Sequence, residues 1–133
     1  MDVKALLVAL LIALPAHAQE TPEAVYAKFH RAGLDGNFQE MRRWGTAAKG
    51  AEIAAMPAAL QQSMMSLLAA ILPQTYTVDG RTVDDVQATL SVSAKQHSGP
   101  VYGLITLLKE NGEWKVDEAK WGEPPPPPPP GKP

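Results

Sequence analysis

The hydrophobic positions of this chain change period once. In the first half they recur every three to four residues, as on one face of a helix; in the second they alternate. Ala24, Val25, Phe29, Ala32 and Gly33 fall at helical spacing, with Tyr26 and His30 alongside. Thr21-Pro22-Glu23 provides a cap, a proline suited to the first turn and an acid at the positive end of the helix dipole. Asp35-Gly36-Asn37 stops that helix. Phe38, Met41 and Trp44, three apart, predict a short second helix, which Gly45 and Gly50 interrupt. Residues 47–56 fit either a helix or a loop. Pro57 opens a stronger helix, in which Leu60, Met64, Leu67, Leu68, Ile71 and Leu72 form one stripe, expected to bury against a sheet. Gln61, Gln62, Ser63 and Ser66 take the other side, and Pro73 ends the helix.

Beyond Pro73 the pattern is that of strands. Thr75 to Thr77, Gly80 and Thr82 read as strand or hairpin, with Asp79-Gly80 as the expected turn. Val86, Ala88, Leu90, Val92 and Ala94 then alternate with Gln87, Thr89, Ser91, Ser93 and Lys95, the pattern of a strand with one buried and one polar face. His97-Ser98-Gly99-Pro100 predicts a turn. Residues 101–109 are apolar on both faces, which suits a central strand. Glu110-Asn111-Gly112 predicts a hairpin turn, and residues 114–121 form the last strand. Helices followed by an antiparallel meander define an α+β layout in which N-terminal helices cover one face of the sheet. The order contains no βαβ unit, no phosphate loop and no internal repeat.

Both ends of the chain stand apart from this body. Lys4, an unbroken apolar run over residues 5–14, Pro15 and the small residues of Ala16-His17-Ala18 are the successive parts of a cleavable signal peptide over residues 1–18. The run is about half the roughly 20 apolar residues a membrane span needs. The expected location is therefore periplasmic or secreted, with no stable membrane anchor after cleavage. Residues 19–122 form the domain and residues 123–133 a tail. In that tail Pro124, Pro125, Pro126, Pro127, Pro128, Pro129 and Pro130 are consecutive, a composition that forms a stiff polyproline II rod. It suits a spacer, or a docking peptide for an aromatic-lined groove on a protein partner.

Composition narrows the chemistry. The chain has 133 residues, room for one domain, with 45% hydrophobic and 20% charged side chains and a formal net charge of −2. Charges of both signs are mixed, so nothing points to nucleic acid. There is no cysteine, which excludes thiol catalysis, thiolate metal sites and disulfides. No cofactor is expected.

The opening Thr21-Pro22-Glu23-Ala24-Val25, leading to Gly36-Asn37-Phe38, is similar to the first helix and following turn of small exported bacterial proteins of the nuclear transport factor-like, cystatin-like superfamily. Leu107-Leu108-Lys109-Glu110-Asn111-Gly112-Glu113-Trp114-Lys115-Val116 resembles their final hairpin. The likeness spans about residues 21–121. It implies a cone: a curved antiparallel meander wrapped around helices, with an apolar pocket at the wide end that a small apolar ligand would fill. It further implies frequent pairing of sheets into homodimers. It implies no one activity, because the superfamily carries enzymes and binding modules on the same scaffold.

Three residues are candidates for lining such a pocket: Tyr26, His30 and Trp44. Tyr26 and His30 lie one helical turn apart, and His30 could serve as an acid or base near neutral pH. No catalytic set is assigned. Asp84 and Asp85 are adjacent, so on a strand they point to opposite faces, and together with Asp79 they suit a solvated turn rather than a calcium loop. His97 has no second histidine nearby, so no metal site is expected. Met41, Met56, Met64 and Met65 could in principle take a soft metal, but core packing accounts for them better. Trp114 and Trp121 differ by seven positions, which on an undistorted strand puts them on opposite faces. The resulting expectation is a non-enzymatic exported accessory or binding protein using an apolar pocket or a sheet face. The alternatives are an isomerase or hydrolase with His30 as acid/base, and an assembly adaptor that docks a partner through its tail.

Overall fold

A computed structural model describes residues 20–97 and 99–122. The signal peptide over residues 1–18 and the polyproline tail over residues 123–133 lie outside the described residues.

Four helices precede four strands: α1 (Pro22–Asp35), α2 (Phe38–Trp44), α3 (Ala47–Ala54), α4 (Ala58–Ile71), β1 (Thr77–Val83), β2 (Gln87–Gln96), β3 (Gly99–Glu110) and β4 (Glu113–Gly122). The strands make one antiparallel meander in the order β1-β2-β3-β4, so the two strands with the most apolar sequence are the inner ones.

Three of the four helices start on a side-chain cap, and α4 starts after Pro57 without one. Thr21 Oγ1 accepts from the Ala24 N–H at 3.1 Å, and α1 closes at Gly36 with φ of 70°, the left-handed cap that glycine adopts without strain. Asn37 Oδ1 accepts from the Glu40 N–H to start α2. The segment 47–56, which fits helix or loop by sequence, forms α3, because Thr46 Oγ1 caps it by accepting from the Lys49 N–H at 3.0 Å. The β3–β4 hairpin turns on Asn111 and Gly112, with φ of 53° and 79°, as a tight hairpin of this hand requires.

The core lies between α1 and the inner sheet face. Ala88, Leu90 and Val92 of β2, Ile105 and Leu107 of β3 and Val116 of β4 are essentially inaccessible, and Val25, Tyr26 and Phe29 of α1 pack onto them.

Three expectations are corrected. The Asp79-Gly80 turn is instead a bulge within β1: Val78 pairs with Val92 and Gly80 with Ser91, leaving Asp79 as the extra residue. The turn comes later, where Asp84 Oδ1 accepts from the N–H groups of Val86 and Gln87 at 2.9 and 2.8 Å. Asp84 and Asp85 thus stand outside the strands, and the two backbone bonds hold the Asp84 carboxyl below its ordinary pKa. Second, α4 does not bury its leucine stripe against the sheet. It packs on α1 through Met65, Leu68 and Leu72, and Leu60, Leu67 and Ile71 are exposed. The core methionine of α4 is therefore Met65, not Met64. Gln61 sets this roll of the helix, since its side-chain amide donates to the carbonyls of Met56 and Ile53 at 2.9 and 3.3 Å. A polar residue faces inward because it has carbonyls at the end of α3 to donate to.

Third, Trp114 and Trp121 lie on the same face. Leu107 pairs with Val116 and Thr106 with Glu118, so Asp117 is an extra residue in β4. The bulge changes the parity of the strand: Trp114 and Val116 face the helices before it, and Ala119 and Trp121 after it.

Candidate functional site

A cavity of about 860 Å³ opens between the helices and the end of β4. Phe29 of α1, Phe38 and Met41 of α2, Ile53 of α3, and Leu68 and Leu72 on the α4 side supply its apolar walls. Tyr26, His30 and Trp121 form its polar side, and Lys49, Glu52 and Lys120 stand among its lining charges.

The polar side is a closed relay. The Trp121 Nε1–H donates to the Tyr26 hydroxyl oxygen at 3.0 Å. The Tyr26 hydroxyl lies 2.9 Å from His30 Nδ1, and His30 Nε2 lies 2.8 Å from the Pro73 carbonyl oxygen. A carbonyl only accepts, so Nε2 carries the ring proton. Nδ1 is then the acceptor, and the Tyr26 hydroxyl donates to it. The chain of donors runs Trp121, Tyr26, His30 and ends on the accepting Pro73 carbonyl. It ties β4 to α1 and α1 to the end of α4, across 95 and 43 residues of sequence.

Tyr76 completes an aromatic cluster around the relay, with its ring centroid 4.9 Å from that of His30 and 5.4 Å from that of Tyr26, both edge-on. Burial raises the phenol pKa of Tyr26 and of Tyr76. Burial also lowers His30 below its ordinary imidazole value; the bond to Pro73 works against this and Arg31 adds to it. His30 is thus neutral at pH 7, with both nitrogens engaged.

The three sequence candidates separate. Tyr26 and His30 line the cavity together. Trp44 lies elsewhere, in a shallow depression with Lys28, Arg31 and Asn37. Its Nε1–H donates to Glu40 at 3.1 Å, and Lys28 and Arg43 sit over its ring at 4.4 and 4.9 Å, a cation–π environment at the surface. The cause is helical phase: Met41 of α2 turns into the cavity, and Trp44, three residues on, falls on the flank of the helix. As an acid/base candidate, His30 hydrogen-bonds to a tyrosine and a backbone carbonyl, not to a carboxylate. Among the described residues no three histidine, aspartate or glutamate side chains converge as a metal site.

Sequence reading misses Tyr76, which packs on the relay beside the cavity, and gives Trp121 as a pocket or interface residue without fixing its face. Tyr76 precedes β1 and carries no periodic signal. Trp121 reaches the cavity only because of the Asp117 bulge, and the parity of the sequence argues against it.

A curved four-stranded meander with helices on one face and a cavity at its open end is the fold of the nuclear transport factor 2-like (NTF2-like) proteins. Among solved structures the chain is similar to a Campylobacter jejuni protein provisionally named an NTF2-like transpeptidase, with a TM-score of 0.56 and 12% identity over 74% of this chain and 99% of that one. It is also similar to an NTF2-like protein of unknown function from Shewanella baltica, with a TM-score of 0.52 and 15% identity over 85% of this chain and 96% of that one. These identities establish the fold alone. No family model matches the chain, and no curated protein matches it in sequence.

Proposed function

We propose that this is an exported, non-catalytic binding protein that takes a small apolar molecule into the cavity between α4 and β4. The observation that carries this reading is the closed relay. Trp121, Tyr26 and His30 bring the polar atoms expected of an acid/base site, yet each hydrogen is committed to another protein group. A general base needs a free lone pair within reach of substrate, and here the Nδ1 lone pair faces Tyr26. The remaining walls are apolar and the volume is that of an ordinary ligand pocket. The export signal over residues 1–18 and the tail over residues 123–133 belong to the same proposal: a small secreted carrier or accessory protein, with the tail as spacer or dock.

The test is uptake of an environment-sensitive apolar dye by the mature protein, compared with Leu68→Trp, which fills the cavity from α4. Saturable uptake by the parent and its loss in the variant support the reading. Equal uptake by both places binding on another surface and overturns it.

A further inference from the structure

We infer that the polyproline run Pro124–Pro130 docks on its own chain, along the exposed face of α4 and antiparallel to that helix. The inference concerns the outer side of α4 and does not depend on what the cavity binds.

The helix leaves an apolar stripe uncovered. Leu60, Leu67 and Ile71 are 47%, 53% and 55% exposed. With half-buried Met64 they recur at helical spacing and lie on one line down the helix. Met65 is the one residue of α4 that is fully buried. By helical phase Ala59, Ser63 and Ala70 flank the stripe on the side away from the cavity, so no long side chain bars a rod laid along it. Residues 53–78, which include all of α4, contain no charged side chain. The stripe therefore has nothing with which to hold a charged partner, and it suits an apolar, uncharged one. Pro124–Pro130 is such a segment: seven pyrrolidine rings with no charge among them.

The tail starts beside the C-terminal end of this stripe. It follows Gly122, the last residue of β4. The ring of Trp121 lies 6.1 Å from that of His30, and His30 Nε2 lies 2.8 Å from the carbonyl oxygen of Pro73, two residues beyond α4. Trp121 and Ile71 line the same cavity. A rod that leaves this point along α4 runs toward Leu60. The lengths agree: Leu60 to Ile71 spans about 17 Å at ~1.5 Å per residue, and Pro125 to Pro130 spans about 16 Å at ~3.1 Å per residue. Glu123 and Pro124 are left to bridge from β4. A polyproline helix is formed before it docks, so little chain entropy is lost. The short tether supplies a local concentration on the order of millimolar.

The chain has no cysteine, so an introduced pair is the only one that can oxidise. In the mature protein, two matched pairs test the docked register: Ile71→Cys with Pro125→Cys, and Leu60→Cys with Pro130→Cys. Leu60 and Ile71 are exposed, so these substitutions leave the fold intact. Each matched pair is expected to close a disulfide within one chain at least about tenfold faster than the crossed pairs, Leu60→Cys with Pro125→Cys and Ile71→Cys with Pro130→Cys. The same margin is expected over Pro130→Cys paired with Val86→Cys, an exposed apolar position away from α4. Leu67→Glu puts a charge in the middle of the stripe and should erase the margin, whereas Leu67→Met should keep it. Matched and crossed pairs that oxidise equally fast, or a margin that survives Leu67→Glu, overturn the docking. Disulfides that form between chains instead of within one assign the stripe to a second copy and overturn it as well.

Discussion

The Thr46 hydroxyl donates to the Asp117 carboxylate at 3.2 Å while accepting from the Lys49 N–H at 3.0 Å. Its own N–H donates to the Val116 carbonyl at 2.9 Å. One buried side chain therefore starts α3 and fixes the bulge in β4, and the bulge is what turns Trp121 toward Tyr26. Thr46→Val keeps shape and removes both side-chain bonds. The expected destabilisation is about 1–2 kcal/mol by urea denaturation, the range for loss of a helix cap. Thr46→Ser should recover most of it. A valine variant as stable as the parent would mean that the hydroxyl anchors neither element.

Gly103 pairs with Val92 on one side and with Trp121 on the other. A Cβ there would lie 2.7 Å from Val92 Cγ2 and 2.9 Å from Trp121 Cδ2, closer than packed carbons allow. Gly103→Ala should therefore displace the indole and lengthen its bond to Tyr26, at a stability loss of about 1–3 kcal/mol, the range for overpacking. Thermal unfolding gives the loss, and near-ultraviolet circular dichroism reports the displaced indole. An unperturbed aromatic spectrum would contradict the close approach.

The relay makes stability depend on pH with a definite sign. His30 titrates below its ordinary value of 6.5 in the folded protein and near that value when unfolded. As pH falls below about 6.5 the unfolded chain takes up a proton that the folded one resists, so stability decreases toward acid until the folded imidazole also protonates. Protonation also gives Nδ1 a hydrogen that confronts the Tyr26 hydroxyl, which must then find another acceptor. In His30→Gln the decline between pH 7 and pH 5 should flatten relative to the parent, while the neutral-pH stability falls because Tyr26 and Pro73 are no longer optimally bonded. Parallel declines in the two proteins would show that His30 does not titrate differently on folding.

Much of the molecule was legible from local chemistry. Thr21, Pro22, Asn37 and the Asn111-Gly112 turn act within a few residues of themselves, and the structure keeps each where its residue type puts it. The inner face of β2 was legible too, since Ala88, Leu90 and Val92 follow strict alternation, whereas β3 is apolar on both faces and its sequence marks only a central strand. What failed depends on residues far apart. Gln61 rolls α4 because it meets the carbonyls of Ile53 and Met56, and the leucine stripe is exposed as a result. Trp121 faces inward because Thr46, 71 residues upstream of Asp117, holds the bulge. Of the cavity, Tyr26 and His30 share a turn of α1 and were accessible to periodicity. Trp121 joins them only through the sheet, and Tyr76 packs beside them from the segment before β1.

The bulge itself can be tested by removing it. The hairpin at Asn111-Gly112 pins Trp114 opposite Lys109 and Val116 opposite Leu107. Beyond the bulge Glu118 lies opposite Thr106, Ala119 opposite Ile105 and Trp121 opposite Gly103. Deletion of Asp117 takes out the residue that has no partner, so all of these pairs can persist and regular alternation from Val116 keeps Ala119 and Trp121 toward the helices. What is lost is the bond from Thr46 and the extra local twist of the bulge, an expected cost of about 1 kcal/mol. In a background with Trp44→Phe and Trp114→Phe, Trp121 is the sole indole. Its emission should stay that of a buried tryptophan on deletion of Asp117. Emission of a water-exposed tryptophan with the sheet retained would mean that the deletion slips the strand by one position, and that Asp117 is not the residue the register leaves over.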